Sequence, residues 1–369
     1  MRGMTWDHAR GYDPLAAASA QWEQRTGTAI AWDRRSLQDF EAYPVEELAR
    51  RYDLIVIDHP HVGQVAQSGC LVPLDTTIDP SVLAEIAAGS VGGSYRSYCW
   101  AGRQWALPID AAAQVQAWVP GRIAAPVTRW EDLAALAAEG RLALPLRPPH
   151  SLMSLFTLCG LLGIPLDGAA ADLFPAAASR AYALLDEVAA SLDPRAFTMD
   201  PIAVFEEMAD AGSALAVAPL IYGYVSYAVD GFRPTTVRFA DIPDTGKGPA
   251  GSALGGTGIA VSAFGSDPAG AARFAAWIAG GAVQRDVIAT QGGQPAHAVA
   301  WDGDDANAAT HDFYRATRAT LDRAWLRPRH PGYMDFQHAA SERLNQALQR
   351  REDADAAIAA LNRLYRASR

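Results

Sequence analysis

Lysine is almost missing from this 369-residue chain: Lys247, in the loop-like run DTGKGPAG, is the only one. A Schiff-base or phosphate-cradling lysine would have to be Lys247, and no GxxxxGK[ST] frame surrounds it. ATP hydrolysis and pyridoxal chemistry are therefore poor readings. Cysteine is also scarce, with Cys70, Cys99 and Cys159 lacking CxxC spacing. Their odd number fits neither a zinc finger nor a disulfide framework, and buried free thiols are expected. Positive charge is in deficit, 31 basic against 41 acidic residues for a net charge of −10. A nucleic-acid or anionic-membrane partner would need a basic face, so neither is expected. No uninterrupted apolar run of about 18 residues occurs, which excludes a membrane-spanning helix. The first residues lack the basic, apolar and small-residue succession of a secretory signal. As written the chain reads as cytoplasmic, and as periplasmic if a signal has been removed. Internal repeats and low-complexity linkers are absent apart from alanine enrichment.

Half of the residues are hydrophobic and a fifth are charged, a composition that supports a packed core, and the length suggests two or three domains. The first third alternates strand and helix signals. GMTW reads as a strand, DPLAAASAQWEQRTG as a helix closed by Gly27, TAIAWD as a second strand and PVEELARR as a short helix. The continuous apolar run DLIVID is a third strand, of the kind buried on both faces of a parallel sheet, and PHVGQVAQSG a further helix. Such a succession implies an open sheet with right-handed crossovers. Downstream, SYCWAGRQW reads as a hairpin turning at Gly102 and RLALPLR as a strand. SALAVAPLIYGYVSYA is a strand and tight turn, and TTVRFADIP another strand. GSALGGTGIAVSAF is a glycine-rich approach to a strand, and the remainder is mostly helical.

Ligands of open α/β sheets collect at the carboxyl ends of the strands. His8 and Arg10 follow the first strand, while Asp58, His59 and His61 follow the third, so two distant sets converge on one edge. Three readings of these histidines stand: hydrogen bonds to a ligand, a metal site completed by Asp58, or capping and loop packing. In LRPPHS, Arg147 ends a strand while His150 and Ser151 open a helix; the exposed N–H groups favour an anion or a carbonyl oxygen, and an ordinary N-cap explains Ser151 equally well. Tyr222, Tyr224 and Tyr227 flank Gly223, placed to stack on a sugar ring, donate hydroxyls to a carboxylate, or pack in the core. No G-x-S-x-G elbow or Rossmann fingerprint occurs, and GGTG at 255–258 suits a turn hugging a ligand or hinge. An enzyme is not expected.

The order of these segments resembles the bacterial extracellular solute-binding proteins of ABC importers, in their type 1, sugar-type branch. YDLIVIDHPHVGQVAQSGCLVPLD is similar to the family's strand ending in the cleft, followed by a helix and G-x-L-x-PLD. WALPIDAAAQV resembles the stretch that crosses to the other lobe, and SALAVAPLIYGY the strand that helps return it. GGTGIAVSAFGSDPAGAARFAAWI and the late RPRHPGYMDF also fit. TWDHARGY departs from the usual opening of sugar binders by adding His and Arg, which points toward an acid or other anionic metabolite.

The resemblance implies a two-lobed α/β periplasmic-binding-protein-like fold with a hinge and an interlobe ligand cleft. The expected first lobe is 1–112 plus 245–308 and the second 113–244 plus 309–369, with crossings near 110–115, 240–250 and 305–312. His8, Asp58, His59 and Asp110 are expected to face the cleft from the first lobe, joined by Gly256 and Thr257. Arg147, Tyr222 and Tyr224 face it from the second, with Arg329 or Tyr333 at the rim and Trp6 packing beside the site. Arg10 and Ser151 complete the expected ligand set. The expected function is capture of a small polar or anionic solute, sugar or carboxylate, by hinge closure and its delivery to ABC membrane subunits. The chain is expected to act as a monomer without cofactor or resident metal. A cytoplasmic sensor or carrier, an enzyme, or a metal receptor using the same cleft are the alternatives.

Overall fold

The computed structural model describes residues 1–37 and 44–369. Along the chain the strands are β1 (Arg2–Trp6), β2 (Ala31–Arg35), β3 (Leu54–Asp58), β4 (Cys99–Trp100), β5 (Arg103–Gln104), β6 (Leu107–Pro108) and β7 (Ala112–Trp118). They continue with β8 (Val217–Tyr222), β9 (Arg238–Ala240), β10 (Leu254–Gly255) and β11 (Thr257–Val261). Two main sheets result, one in the order β2-β1-β3-β11-β6 and one in the order β10-β7-β8 with β9 also on β7. Each is the centre of a lobe.

In the first sheet β1 lies parallel to β2 and β3, as the alternating strand and helix signals require. The parallel arrangement stops there, because β11 enters antiparallel between β3 and β6. It arrives from the other lobe and so runs back across the sheet. The apolar run of β3 is buried from Leu54 to Ile57. One core holds it together with Leu15 and Ala18 of the helix Ala9–Thr26 and Phe274 and Ile278 of the helix Pro268–Ala279.

The second lobe is built on the helix His150–Leu161, whose side chains are buried at nearly every position. A helix apolar on all sides needs cover on all sides. The helices Ala178–Ala190, Tyr333–Arg350 and Ala354–Ala367 share its core, while Phe205, Phe239 and Phe313 belong to a further cluster with Val115 and Ala117 of β7. RLALPLR forms no strand of its own. Only Leu142 bridges to Val217, since Pro145 has no N–H to continue a ladder.

Three stretches of chain run between the lobes side by side. The N–H groups of Ile109 and Asp110 donate to the Thr257 carbonyl, and Thr257 N–H donates back to Asp110 at 3.0 Å. Gln294 exchanges hydrogen bonds with the Ala111 backbone and accepts one from Val225 N–H. The first crossing runs between β6 in one sheet and β7 in the other. The second lies at Gly256, between β10 in one sheet and β11 in the other, rather than at 240–250. The third lies between Ile288 and Ala296, which sit in the cores of different lobes, rather than at 305–312. Trp301, Phe313 and Tyr314 hold the chain on β7 and β8 beyond that point.

Candidate functional site

The site begins where β1 turns into the helix Ala9–Thr26. His8 caps that helix, its Nδ1 accepting from Arg10 N–H at 3.1 Å. Gly11 lets the Trp6 ring lie against the helix, since a Cβ there would meet the indole at 2.4 Å. Arg10 is thereby set in the first turn, facing the crossings. Its Nε and Nη2 donate to the two oxygens of Asp110 at 2.8 and 2.5 Å, and its Nη1 to the Gly223 carbonyl at 2.7 Å. The guanidinium also lies 4.6 Å from the centre of the Tyr224 ring. One side chain thus joins the first helix, the first crossing and the turn after β8.

A second charged pair sits at the end of β3. Asp58 lies opposite Thr257 in the β3–β11 register, and its Oδ2 is 3.6 Å from Arg327 Nη2. Arg327 is buried and donates through Nη1 to Gln337 Oε1 at 2.9 Å. Gln337 belongs to the helix Tyr333–Arg350 of the second lobe, so this pair also reaches from one lobe to the other. Between the pairs is a cavity of about 70 Å³. Trp6, Arg10, Asp58, Gly256 and Thr257 line it from the first lobe and the crossings. His150, Met153, Tyr222, Tyr224, Arg327 and Gln337 line it from the second.

Burial sets the electrostatics. It pushes the carboxyls of Asp58 and Asp110 up, against the pull of Arg327 and Arg10 respectively. Burial opposes the charge of Arg10 too, but Asp110 overrides it and holds the guanidinium above its ordinary value. The His150 imidazole is lowered to about 4, by burial first, with Asp200 opposing and Arg147 and Arg327 reinforcing. It is neutral at pH 7. Thr257 Oγ1 and His150 Nδ1 are buried without a hydrogen-bond partner in the protein. Gly256 is required by its φ of +88 and by the Asp110 carbonyl, which a Cβ would approach to 2.4 Å. The wall therefore carries aromatic faces, a spare hydroxyl and two opposed ion pairs.

Of the residues expected in the site, Arg10, Asp58, Tyr222, Tyr224, Gly256 and Thr257 line the cavity. Asp110 stands behind Arg10. His8 is a cap with its ring edge-on to Tyr224 at 4.8 Å. The others lie elsewhere. His59 is fully buried against Tyr98, with neither ring nitrogen hydrogen-bonded; burial drives its pKa well down. Ser151 is buried in the second turn position of its helix, whose N-cap is Pro149, so it neither caps nor lines. Arg147 contributes its backbone, to Met199 and His150, rather than a cavity wall. Arg329 Nη1 donates to the carbonyls of Arg96, Ser97 and Cys99, and Tyr333 is core.

Trp6, expected to pack beside the site, lines it, and Met153, Arg327 and Gln337 were not singled out by the sequence. The signal for Arg327 is the run RPRHPGYMDF, which points by sequence to the neighbouring arginine, Arg329, instead. Among the described residues no three His, Cys, Asp or Glu side chains are grouped as metal ligands, so His8, His59, His61 and Asp58 form no such set. No helix among the described residues is long and apolar enough to cross a membrane.

Comparison with solved structures finds the same architecture over the full length. An ABC transporter solute-binding protein from Thermotoga lettingae, bound with α-D-tagatose, superposes with a TM-score of 0.83 at 15% identity, covering 100% of this chain and 98% of that one. One from Agrobacterium radiobacter in complex with ribitol gives 0.77 at 18% identity, covering 98% and 96%. The maltotriose-binding protein of Thermus thermophilus gives 0.76 at 18%, covering 99% and 98%. No curated protein matches by sequence. The family model for bacterial extracellular solute-binding proteins matches residues 45–313, which takes in β3 to β11, all three crossings and part of the cavity wall; the chain belongs to that family.

Proposed function

We propose that this protein captures a small uncharged polyhydroxy solute, a monosaccharide or linear polyol, and hands it to the membrane subunits of an ABC importer. One observation carries the ligand class. Each guanidinium at the cavity has a carboxylate, Arg10 with Asp110 and Arg327 with Asp58, and His150 is neutral, so among the described residues that line it no cation is left over to bind an anionic solute. The acid suggested by the His and Arg of TWDHARGY is disfavoured on that ground: Arg10 is consumed by Asp110 and His8 by its helix cap. What a ligand meets is the outer side of Asp58 and the Thr257 hydroxyl, beside the side chains of Trp6, Tyr222 and Tyr224 that line the cavity. Polar groups that fix orientation beside aromatic faces are the usual means of holding a sugar-like solute.

Closure follows from the layout, because a solute touching Asp58 and Thr257 on one side and Tyr222 on the other favours the state with both lobes in place. The family's description places such receptors outside the cell, and delivery to an importer is proposed from there.

The test is a thermal-shift and calorimetric screen with neutral sugars and polyols, ribitol and D-tagatose among them, beside carboxylates and amines. A binder at 100 times its dissociation constant stabilises the folded state by about 2.7 kcal/mol. Thr257→Val should weaken that binder by about 2- to 10-fold without lowering the melting point, because Oγ1 has no protein partner to lose. Shifts from carboxylates alone, or a Thr257→Val variant with undiminished affinity, would defeat the assignment.

A further inference from the structure

We infer that Gln337 selects the solute from the second lobe, its amide Nε2 donating to an oxygen of the ligand and rejecting counterparts that lack that oxygen. This inference rests on the polyol reading and deepens it by naming the residue that reads one hydroxyl. The helix Tyr333–Arg350 buries Tyr333, Phe336, Ala340 and Leu344 in the core, and Gln337 falls on the same face at 5% exposure. An amide in such a place costs stability unless its polar ends are matched. An apolar residue would suit the packing alone better. Oε1 is matched, by Arg327 Nη1 at 2.9 Å. Among the described residues that is the one hydrogen bond of the side chain, and Nε2 is left as the free end of a side chain that lines the cavity.

The orientation of the amide follows from the chemistry of its partner. A guanidinium carries only donors, so the end of Gln337 that meets Arg327 is the carbonyl oxygen, and the end left for the solute is the NH2 group. Whatever else Arg327 touches, it remains a donor, and the amide cannot turn over without losing this charge-assisted bond. Arg327 is thus a positioning residue, and Gln337 the residue that meets the solute. A buried NH2 group denied an acceptor costs more than the same bond gains when it is made. A hydroxyl oxygen supplies the acceptor, whereas a CH2 group in its place supplies none and keeps out the water that would. Thr257 Oγ1, across the cavity on the first lobe, is also unmatched, but a hydroxyl both donates and accepts and adapts to either kind of partner. The Gln337 amide cannot adapt, which makes it the stricter of the two.

The experiment is calorimetry on the full chain at pH 7.5 with the neutral solute that binds, D-tagatose, ribitol and D-glucose being tried first. Its monodeoxy and deoxyfluoro analogues are then measured one carbon at a time. At the carbon that Gln337 reads, wild type should bind the deoxy analogue about 10-fold or more weakly than the parent. Gln337→Met, close in length and without a donor, should weaken the parent by a similar factor and bind that analogue as well as the parent. A residue that only packs would weaken parent and analogues alike; parent-to-analogue ratios unmoved at every carbon by Gln337→Met overturn the inference. Gln337→Glu keeps an oxygen for Arg327 and decides the matter if the Met variant fails to fold, as its melting curve would reveal. It places an acceptor where the donor stood. Fluorine accepts weakly and cannot donate, so the fluoro analogue should bind at least as well as the deoxy one in wild type, and the order should reverse in Gln337→Glu. A fluoro-to-deoxy ratio equal in both proteins at every carbon also overturns the inference. The polyol reading survives either result, because the parent still binds wild type. A wild type that binds no neutral solute, in this set or in the wider screen, ends that reading and this inference together.

Discussion

Replacing Arg10 by Met tests the architecture of the crossings most directly. Met approximates the length of the arginine stem and removes all three hydrogen bonds at once. The Arg10 and Asp110 side chains are 5% and 6% exposed, so water does not take over. The substitution leaves a buried carboxylate and the Gly223 carbonyl without their donors. Breaking one side of a buried pair costs about 3–5 kcal/mol, a large part of the roughly 5–15 kcal/mol that holds a protein folded. Urea denaturation followed by circular dichroism at pH 7.5 should register that loss. Two further measurements make the argument specific. Asp110 is already pushed up by burial, and without Arg10 its pKa rises further above the unfolded value. In the window between those two values the folded state binds the extra proton, so the variant gains stability as pH falls and its deficit narrows. The double variant Arg10→Met with Asp110→Asn removes both charges and should lie within about 1–2 kcal/mol of wild type, since a buried pair replaced as a unit is close to neutral. A loss below about 1 kcal/mol for Arg10→Met, or a double variant no better than the single one, would refute the reasoning.

Gly256→Ala meets a backbone at φ +88 and the Asp110 carbonyl at 2.4 Å, so strain and clash together should cost about 2–4 kcal/mol and weaken any solute the cleft binds; Gly121→Ala, at φ +87 with nothing within 4 Å, should cost only about 1–2 kcal/mol. Equal drops in melting temperature for the two would dismiss the crowding at the crossing. His150 is lowered to about 4 by burial, so as pH falls from 6.5 the unfolded chain takes up a proton that the folded chain refuses, and stability is lost down to about pH 4. The shift is worth on the order of 3 kcal/mol. His150→Asn should flatten that part of the stability profile, and an unchanged slope from pH 6.5 to 4 would show that His150 does not stay neutral when folded.

The fold was legible where one segment carries its own signal. The unbroken apolar run of β3, the αL glycine closing the first helix at Gly27 and the hairpin turn at Gly102 need no partner to be recognised. Errors arose where a segment's role depends on what it meets. RLALPLR has strand composition, but its neighbours offer no ladder beyond one bridge at Val217. β11 has parallel-strand composition, and only the path of the chain through Gly256 makes it antiparallel. The last crossing was placed late because Ala296 and Trp301 carry no mark of which lobe will bury them.

The site divides along the same line. Residues placed by a strand end, Arg10, Asp58 and Thr257, could be found from local pattern, because the carboxyl edge of a sheet is a position that sequence specifies. Tyr222 follows the same rule at the end of β8. Arg327 escaped it, standing between Arg329 and the chain that returns from β11 in a segment without regular structure. The sequence points to Arg329, which spends its guanidinium on three backbone carbonyls, while Arg327 faces Asp58. Two arginines two positions apart have the same composition, charge and motif; which one reaches the cavity is decided by a carboxylate 269 positions away in sequence. Pairing also removed the argument for an anionic solute, since a count of histidines and arginines near a strand end cannot register that the cations are already matched. Charge left over at a site, rather than charge present near it, is what selects a ligand, and that difference exists only once the chain has folded.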